Sequence, residues 1–312
     1  RSISSFISKK IANKLKDLLK NKPKFYAEIW ESIAAFVKIG VIEDDKFAEL
    51  AKESIIFETK FETTKDLNKE LDNNTLIKKN EKYFTTLSNY KLRNKDFDDK
   101  KIIYCTDEIS QSNPLSLWLS NNREVLKADP LIDAQFIPWL ESKNEDFQFQ
   151  RVDSEISEDK IDETPEIVDK DGKSEVDHLK EIISKSLDND KVTIKIQSIK
   201  SKSAPPALIL LPEQMRRIND MGAFMEQKLP GLPEYHVLLI NKDHPLISGL
   251  INLSSKKLIL KDEKKNEDPL SKKIVAQVYE MAKLSVGGMD QEALHKLQIN
   301  NADLITELLN SK

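Results

Sequence analysis

Between Asp153 and Asp177 the chain places eleven Asp or Glu against three Lys, with one Gly, one Pro and few apolar residues. Such a stretch buries too little apolar surface to offset the entropy of ordering it, so it reads as a solvated linker. At 312 residues the chain is long enough for two or three domains of ordinary size, each able to bury a core of its own. The expected division is a helical segment over residues 1–100, a small α/β unit over 101–153, the linker over 154–175 and a new unit over 176–312.

In the first block Ile3, Phe6, Ile7, Ile11, Leu15, Leu18 and Leu19 recur three and four apart, the spacing of an amphipathic helix that Pro23 ends or restarts. The stretch FYAEIWESIAAFVKIG repeats the pattern through Phe25, Ile29, Trp30, Ile33, Phe36 and Val37, and Gly40 stands where a left-handed cap stops a helix. The first hundred residues are predicted to be mainly helical, with a polar loop around residues 72–82. From Lys101 the period changes. KIIYCTD, REVLKAD and FQFQRVD read as strands separated by the helices NPLSLWLSNN and PLIDAQFIPWLESK. With right-handed crossovers this βαβαβ order makes a small parallel sheet between helices, a three-layer unit.

Beyond the acidic stretch come a helix to Leu187, strands KVTIKIQSI and PALILL, the helix PEQMRRINDMGAFMEQ, the strand YHVLLIN, a helix after DHPLI, and helices from Pro269 onward. The fold class is therefore α/β and α+β multidomain, ending in a helical bundle.

Catalytic signals are thin. His178, His236, His244 and His295 have neither HExxH spacing nor neighbouring cysteines, and no Walker loop, GxGxxG or GxSxG is present. Cys105 sits in an apolar run, where a small buried hydrophobe is expected rather than a nucleophile. A lone cysteine fits a reducing compartment, and no run approaches the length of a membrane span or a secretory signal, so a cytoplasmic protein without a membrane partner is expected. The net charge of -4 does not suggest nucleic acid as a general partner. The opening lysines, Lys9, Lys10, Lys14, Lys16 and Lys20, lie on the polar side of a helix without interleaved aromatics, as a solvated face does. Trp30, Trp118 and Trp139 fall in apolar helical stripes and are expected to pack inside.

Two features point to partners. Three of the five methionines lie on PEQMRRINDMGAFMEQ, where Met215, Ile218, Met221 and Met225 share about one third of the helix circumference and Phe224 extends the stripe. Such a stripe is either core or an adaptable surface for varied apolar partners. DQEALHKLQINNADLITELLNSK reads as two short helices broken near Asn300, carrying Leu294 and Leu297, then Leu304, Ile305, Leu308 and Leu309. Helices this short are marginal alone. Their leucines pack on their own domain or form a contact between chains.

The ordered set ISSFISKKIANKLKDLLK, FYAEIWESIAAFVKIGVIEDDKF, KYFTTLSNY, KIIYCTD, FQFQRVD, MRRINDM and NKDHPLI resembles the ninety-kilodalton heat-shock chaperone family in its bacterial form, high-temperature protein G, over nearly the whole chain. The resemblance implies the end of a middle domain followed by a C-terminal dimerisation domain. It implies a homodimer through the terminal helices at Leu294, Leu297, Leu304, Ile305, Leu308 and Leu309, in a four-helix arrangement with two helices from each chain. Partly unfolded clients would bind Met215, Ile218, Met221, Phe224 and Met225, with Phe136 and Trp139 as a second surface, although Ala134, Gln135 and Pro138 depart from the family pattern there. Cochaperones are further implied partners. ATP and magnesium belong to an N-terminal domain not represented here, so no cofactor and no enzymatic activity are expected of this chain. The alternative is a noncatalytic scaffold whose terminal helices dock on another protein.

Overall fold

A computed structural model describes residues 2–62, 75–97, 101–154, 174–199, 204–213, 215–218, 232–259, 269–286, 289 and 291–310. They fall into two compact units, Arg1–Val152 and Asp153–Lys312.

The first unit opens with α1 (Ser2–Asn21), α2 (Pro23–Glu43) and α3 (Asp45–Ala51), followed by a 3-10 turn at Lys52–Ser54. Pro23 starts α2 at the position where its missing N–H costs nothing. Gly40 does not end α2 as expected. The helix runs through it to Glu43, and Asp44 makes the break by accepting hydrogen bonds from the Lys46 and Phe47 amides. The glycine serves packing instead, since a Cβ there would lie 3.2 Å from the Phe47 ring.

Six strands follow: β1 (Ile56–Lys60), β2 (Ile77–Lys79), β3 (Lys82–Thr86), β4 (Lys101–Cys105), β5 (Val125–Lys127) and β6 (Gln148–Arg151). Helix α4 (Leu87–Arg93) follows β3, α5 (Ser112–Ser120) joins β4 to β5, and α6 (Asp133–Lys143) joins β5 to β6. The strands form one sheet in the order β2-β3-β1-β5-β4-β6, parallel at β5-β4-β6 and antiparallel elsewhere. The predicted parallel trio is thus one half of a mixed sheet, and the other half lies in residues expected to be helical or loop. Those strands are short, and β1 finds its neighbour β5 far along the chain, a pairing that local periodicity does not encode. Asn80, with φ of 53°, makes the tight turn between β2 and β3.

Two groups of buried charges in this unit are paired. The Glu124 carboxylate accepts from Thr59, Arg93 and Asn94 at 2.7–3.0 Å. Lys38 of α2 donates to both Asp133 oxygens of α6, at 2.7 and 2.9 Å, with the two side chains 6% and 1% exposed. Its ammonium also lies 4.6 Å from the Phe57 ring centre.

The second unit contains α7 (Glu175–Leu187), β7 (Val192–Gln197), β8 (Ala207–Leu210), β9 (His236–Asn241), α8 (Pro245–Ile259), α9 (Pro269–Ser285) and α10 (Gln291–Asn310). A reciprocal capping box between Ser174 and Asp177 starts α7, and Asp188 ends it in the left-handed conformation. The sheet order is β7-β9-β8, with β9 parallel to β7 and antiparallel to β8. Every residue of β9 is buried, as befits a central strand covered on both faces. Leu179 and Ile183 of α7 meet Val275, Val278 and Ala282 of α9 in the core around it.

Two expectations change here. The break near Asn300 is absent, and α10 is one helix of 20 residues. Two asparagines lower helix propensity by only a few tenths of a kcal/mol each, too little to interrupt a helix without Pro or Gly. The acidic stretch is anchored at both ends inside this unit, because Ser154 forms a β-bridge with Leu211 and Ser174 caps α7. The stretch between those anchors, residues 155–173, lies outside the described residues.

Candidate functional site

The Met helix begins directly after β8. Glu213 and residues 215–218 are helical, Met215 is half-buried and Ile218 is 52% exposed. Met221, Phe224 and Met225 lie outside the described residues. The exposed Ile218 is at odds with a stripe used wholly as core. The first turn is held by a charge cluster: Glu213 accepts from Arg216 Nε at 3.0 Å and Arg217 Nε at 2.8 Å, and also bonds the Ser154 hydroxyl. Burial opposes ionisation of Glu213, but the hydrogen bond and charge of Arg216, with bonds from Ser154 and Arg217, outweigh it and lower its pKa.

The second expected surface is corrected at one residue. Phe136 is 0% exposed, stacked on Trp139 and packed near Phe57, so it is core. Lys38 lies over the same ring, and the pair it forms with Asp133 ties α6 to α2. Trp139 is half-buried against that core, while Ala134, Gln135 and Pro138 are exposed. Trp30 and Trp118 are buried, as their stripes predicted.

At the end of the chain α10 packs on α9, and Lys273 pairs with Glu307 between them. Leu297 is buried, whereas Leu294 and Leu304 are half-buried. Ile305 and Leu309 are 57% and 68% exposed, and the side chain of Leu308 lies outside the described residues. The sequence reading missed Ile299 on the same helix and Met281 and Leu284 on α9, all of them exposed. Their three- and four-residue spacings to other apolar positions were visible, but which side of each helix stays uncovered depends on the packing of α9 against α7 and β8.

The same packing fixes His236. Its Nδ1–H donates to the Pro233 carbonyl at 2.8 Å, which leaves Nε2 to accept from the Tyr279 hydroxyl of α9 at 2.9 Å. Burial, reinforced by the Lys283 charge, outweighs the Pro233 bond and holds its pKa below the ordinary 6.5. Because the folded pKa is lowered, the stabilisation is complete above the unfolded value and declines as pH falls below about 6.5. Thermal midpoints at pH 7.5, 6.5 and 5.5 are expected to fall more steeply for the natural chain than for His236→Gln. Equal slopes would remove His236 from that dependence.

The Cys105 thiol is pushed up to about 11, chiefly by burial, consistent with the buried hydrophobe expected there. No group of three or more His, Cys, Asp or Glu is placed to hold a metal ion among the described residues. Asp303, Thr306, Glu307 and Asn310 line a shallow, open depression along one face of α10. No described helix is long and apolar enough to cross a membrane.

The chain is 27% identical over 301 residues to the chaperone protein HtpG of Porphyromonas gingivalis, covering 94% of this chain and 40% of that protein. It is 27% identical over 266 residues to the chaperone protein HtpG of Bacteroides thetaiotaomicron, 81% of this chain and 35% of that protein. With the chaperone protein HtpG of Vesicomyosocius okutanii the identity is 28% over 297 residues, 90% of this chain and 40% of that protein. The chain thus spans about 40% of the length of these curated relatives. The family model described as Hsp90 protein matches residues 1–310, and with that match the chain belongs to the Hsp90 family of heat-shock chaperones.

Proposed function

We propose that this chain is the client-holding and self-associating portion of a longer cytoplasmic chaperone. Two copies pair through α9 and α10, and partly unfolded client chains are held on the apolar stripe of the Met helix. ATP binding and hydrolysis are assigned to the part of the family protein outside this chain, and its cycle alters how paired arms present their apolar surfaces. Cochaperones are further partners in that assembly. The observation that carries the reading is the pair of apolar faces without cover in the single chain, Ile218 on the Met helix and Ile305 with Leu309 on α10.

Each apolar side chain placed against a client contributes about 1.5–3 kcal/mol, and ordering the client offsets much of the sum. Weak binding to many sequences is the consequence, and the flexible, polarizable methionines suit it. Replacing both Met221 and Met225 with Ser is expected to weaken binding of an unfolded chain about tenfold or more while leaving the solution mass unchanged. Reduced, carboxymethylated α-lactalbumin, followed by fluorescence anisotropy, provides the measurement. Unchanged binding would remove this helix from the account. A large drop in thermal stability without a binding defect would favour the scaffold reading, in which the stripe is core.

A further inference from the structure

The six-stranded sheet of the first unit ends at β2 on one side and at β6 on the other. An edge strand presents backbone groups that a further strand can take up, and short length or edge lysines oppose this. β2 is three residues long and carries Lys78 and Lys79. β6 runs Gln148, Phe149, Gln150, Arg151, so its first three residues carry no charge, and Phe149 and Gln150 are buried. Its own sequence gives that edge little defence.

The return from α6 supplies one. Only residues 144–147 separate the end of α6 from β6, and their path is fixed. The Asn144 amide donates to the Leu140 carbonyl at 3.1 Å and the Phe147 amide to the Asn144 carbonyl at 3.0 Å. Lys91 of α4 donates to the Asp146 carbonyl at 3.3 Å, with its ammonium 4.7 Å from the Phe147 ring centre. This path lays the last turn of α6 beside the strand, where Glu141 Oε1 accepts from the Phe149 amide at 2.8 Å. That amide is on the outer side of β6. The Val152 amide donates to the Tyr104 carbonyl of β4 at 2.9 Å, and bonding to one neighbour recurs at every second residue, so the amide at 149 faces away from β4. The Phe149 ring, edge-to-face with Tyr104 at 6.2 Å, holds the strand in that orientation.

We propose that Glu141 guards this edge: by holding the Phe149 amide it keeps β6 from pairing with β6 of a second copy of the chain. A second copy is the occupant that fits, because its β6 brings the same uncharged run, and like strands can pair about a two-fold axis without opposing charges. The proposal is independent of the roles given above to the Met helix and to α10. A chain that pairs through one two-fold face and gains another builds open arrays instead of closed pairs, and the guard prevents that outcome.

The test compares Glu141→Ala, which deletes the acceptor, with Glu141→Gln, which keeps an acceptor oxygen at the same reach. Solution mass is followed by light scattering over a dilution series, and the Phe149 amide by hydrogen exchange. At low concentration Glu141→Ala is expected to exchange that amide about tenfold faster or more, as loss of a bond to a charged acceptor implies. At higher concentration it is expected to show an association step that the natural chain lacks, with the amide protected again as the mass rises. Glu141→Gln is expected to keep the natural mass and slow exchange. In an Ile305→Asp, Leu309→Asp background the added step is expected to stop at a dimer, which separates it from pairing through α10. A natural mass for Glu141→Ala at every concentration would overturn the inference, as would association that leaves the Phe149 amide unprotected or equal association by Glu141→Gln. If Glu141→Ala fails to fold by circular dichroism, Glu141→Met, which fills similar space without an oxygen, decides by the same criteria.

Discussion

Replacing Lys38 with alanine is expected to destabilise the first unit by about 3–5 kcal/mol, because it strands the Asp133 carboxylate in the interior. Asp133 is 1% exposed and holds the start of α6, accepting from the Asp129 amide at 2.7 Å as well as from Lys38. For a unit of this size the loss corresponds to about 10 °C or more in melting temperature. The pair as a whole behaves differently from its halves. Lys38→Met combined with Asp133→Leu is expected to recover most of the loss, since the desolvation cost of both charges disappears with their attraction. Denaturant melts of the two single variants and the double variant check this, and a single-variant loss below about 1 kcal/mol would contradict a desolvated pair. The same pair explains why Phe136 is core. Lys38 lies over its ring, and a client reaches Phe136 only if α2 and α6 separate.

Placing charge on the end of the chain is expected to abolish pairing of copies. Ile305 and Leu309 are 57% and 68% exposed, so replacing both with Asp costs the single chain little. In a two-fold dimer each substitution counts twice, and four aliphatic side chains at about 1.5–3 kcal/mol each weaken association by at least about a thousandfold. Light scattering over a dilution series is expected to give a dimer for the natural chain and a monomer for the variant, with equal thermal midpoints. A natural chain that is monomeric at every concentration would reject self-association and leave α9 and α10 as a docking face for a different protein. A variant that stays dimeric would place the interface elsewhere.

The candidate sites were legible to different depths. The Met stripe and the terminal leucines were visible as periodicities, because a 3.6-residue repeat is written in consecutive residues. Their exposure was not, since Leu297 and Leu309 read alike and only the packing of α10 on α9 buries one and leaves the other open. Phe136 was misplaced for the same reason. Its burial depends on a lysine 98 positions earlier in the chain, at Lys38. The charge cluster at Glu213 left a partial trace, an acidic residue three and four positions before two arginines, but its third partner, Ser154, lies across the acidic stretch.

By itself the sequence determined the local elements of most helices and of the strands from Lys101 onward, and the family. Each of these depends on neighbouring residues or on an ordered set of short segments. Tertiary structure alone decided that β1, β2 and β3 join the parallel trio in one sheet, that both ends of the acidic stretch are anchored in the second unit, and which apolar faces remain open. Those outcomes rest on contacts between residues far apart in the chain, whose free energy appears only when the elements meet.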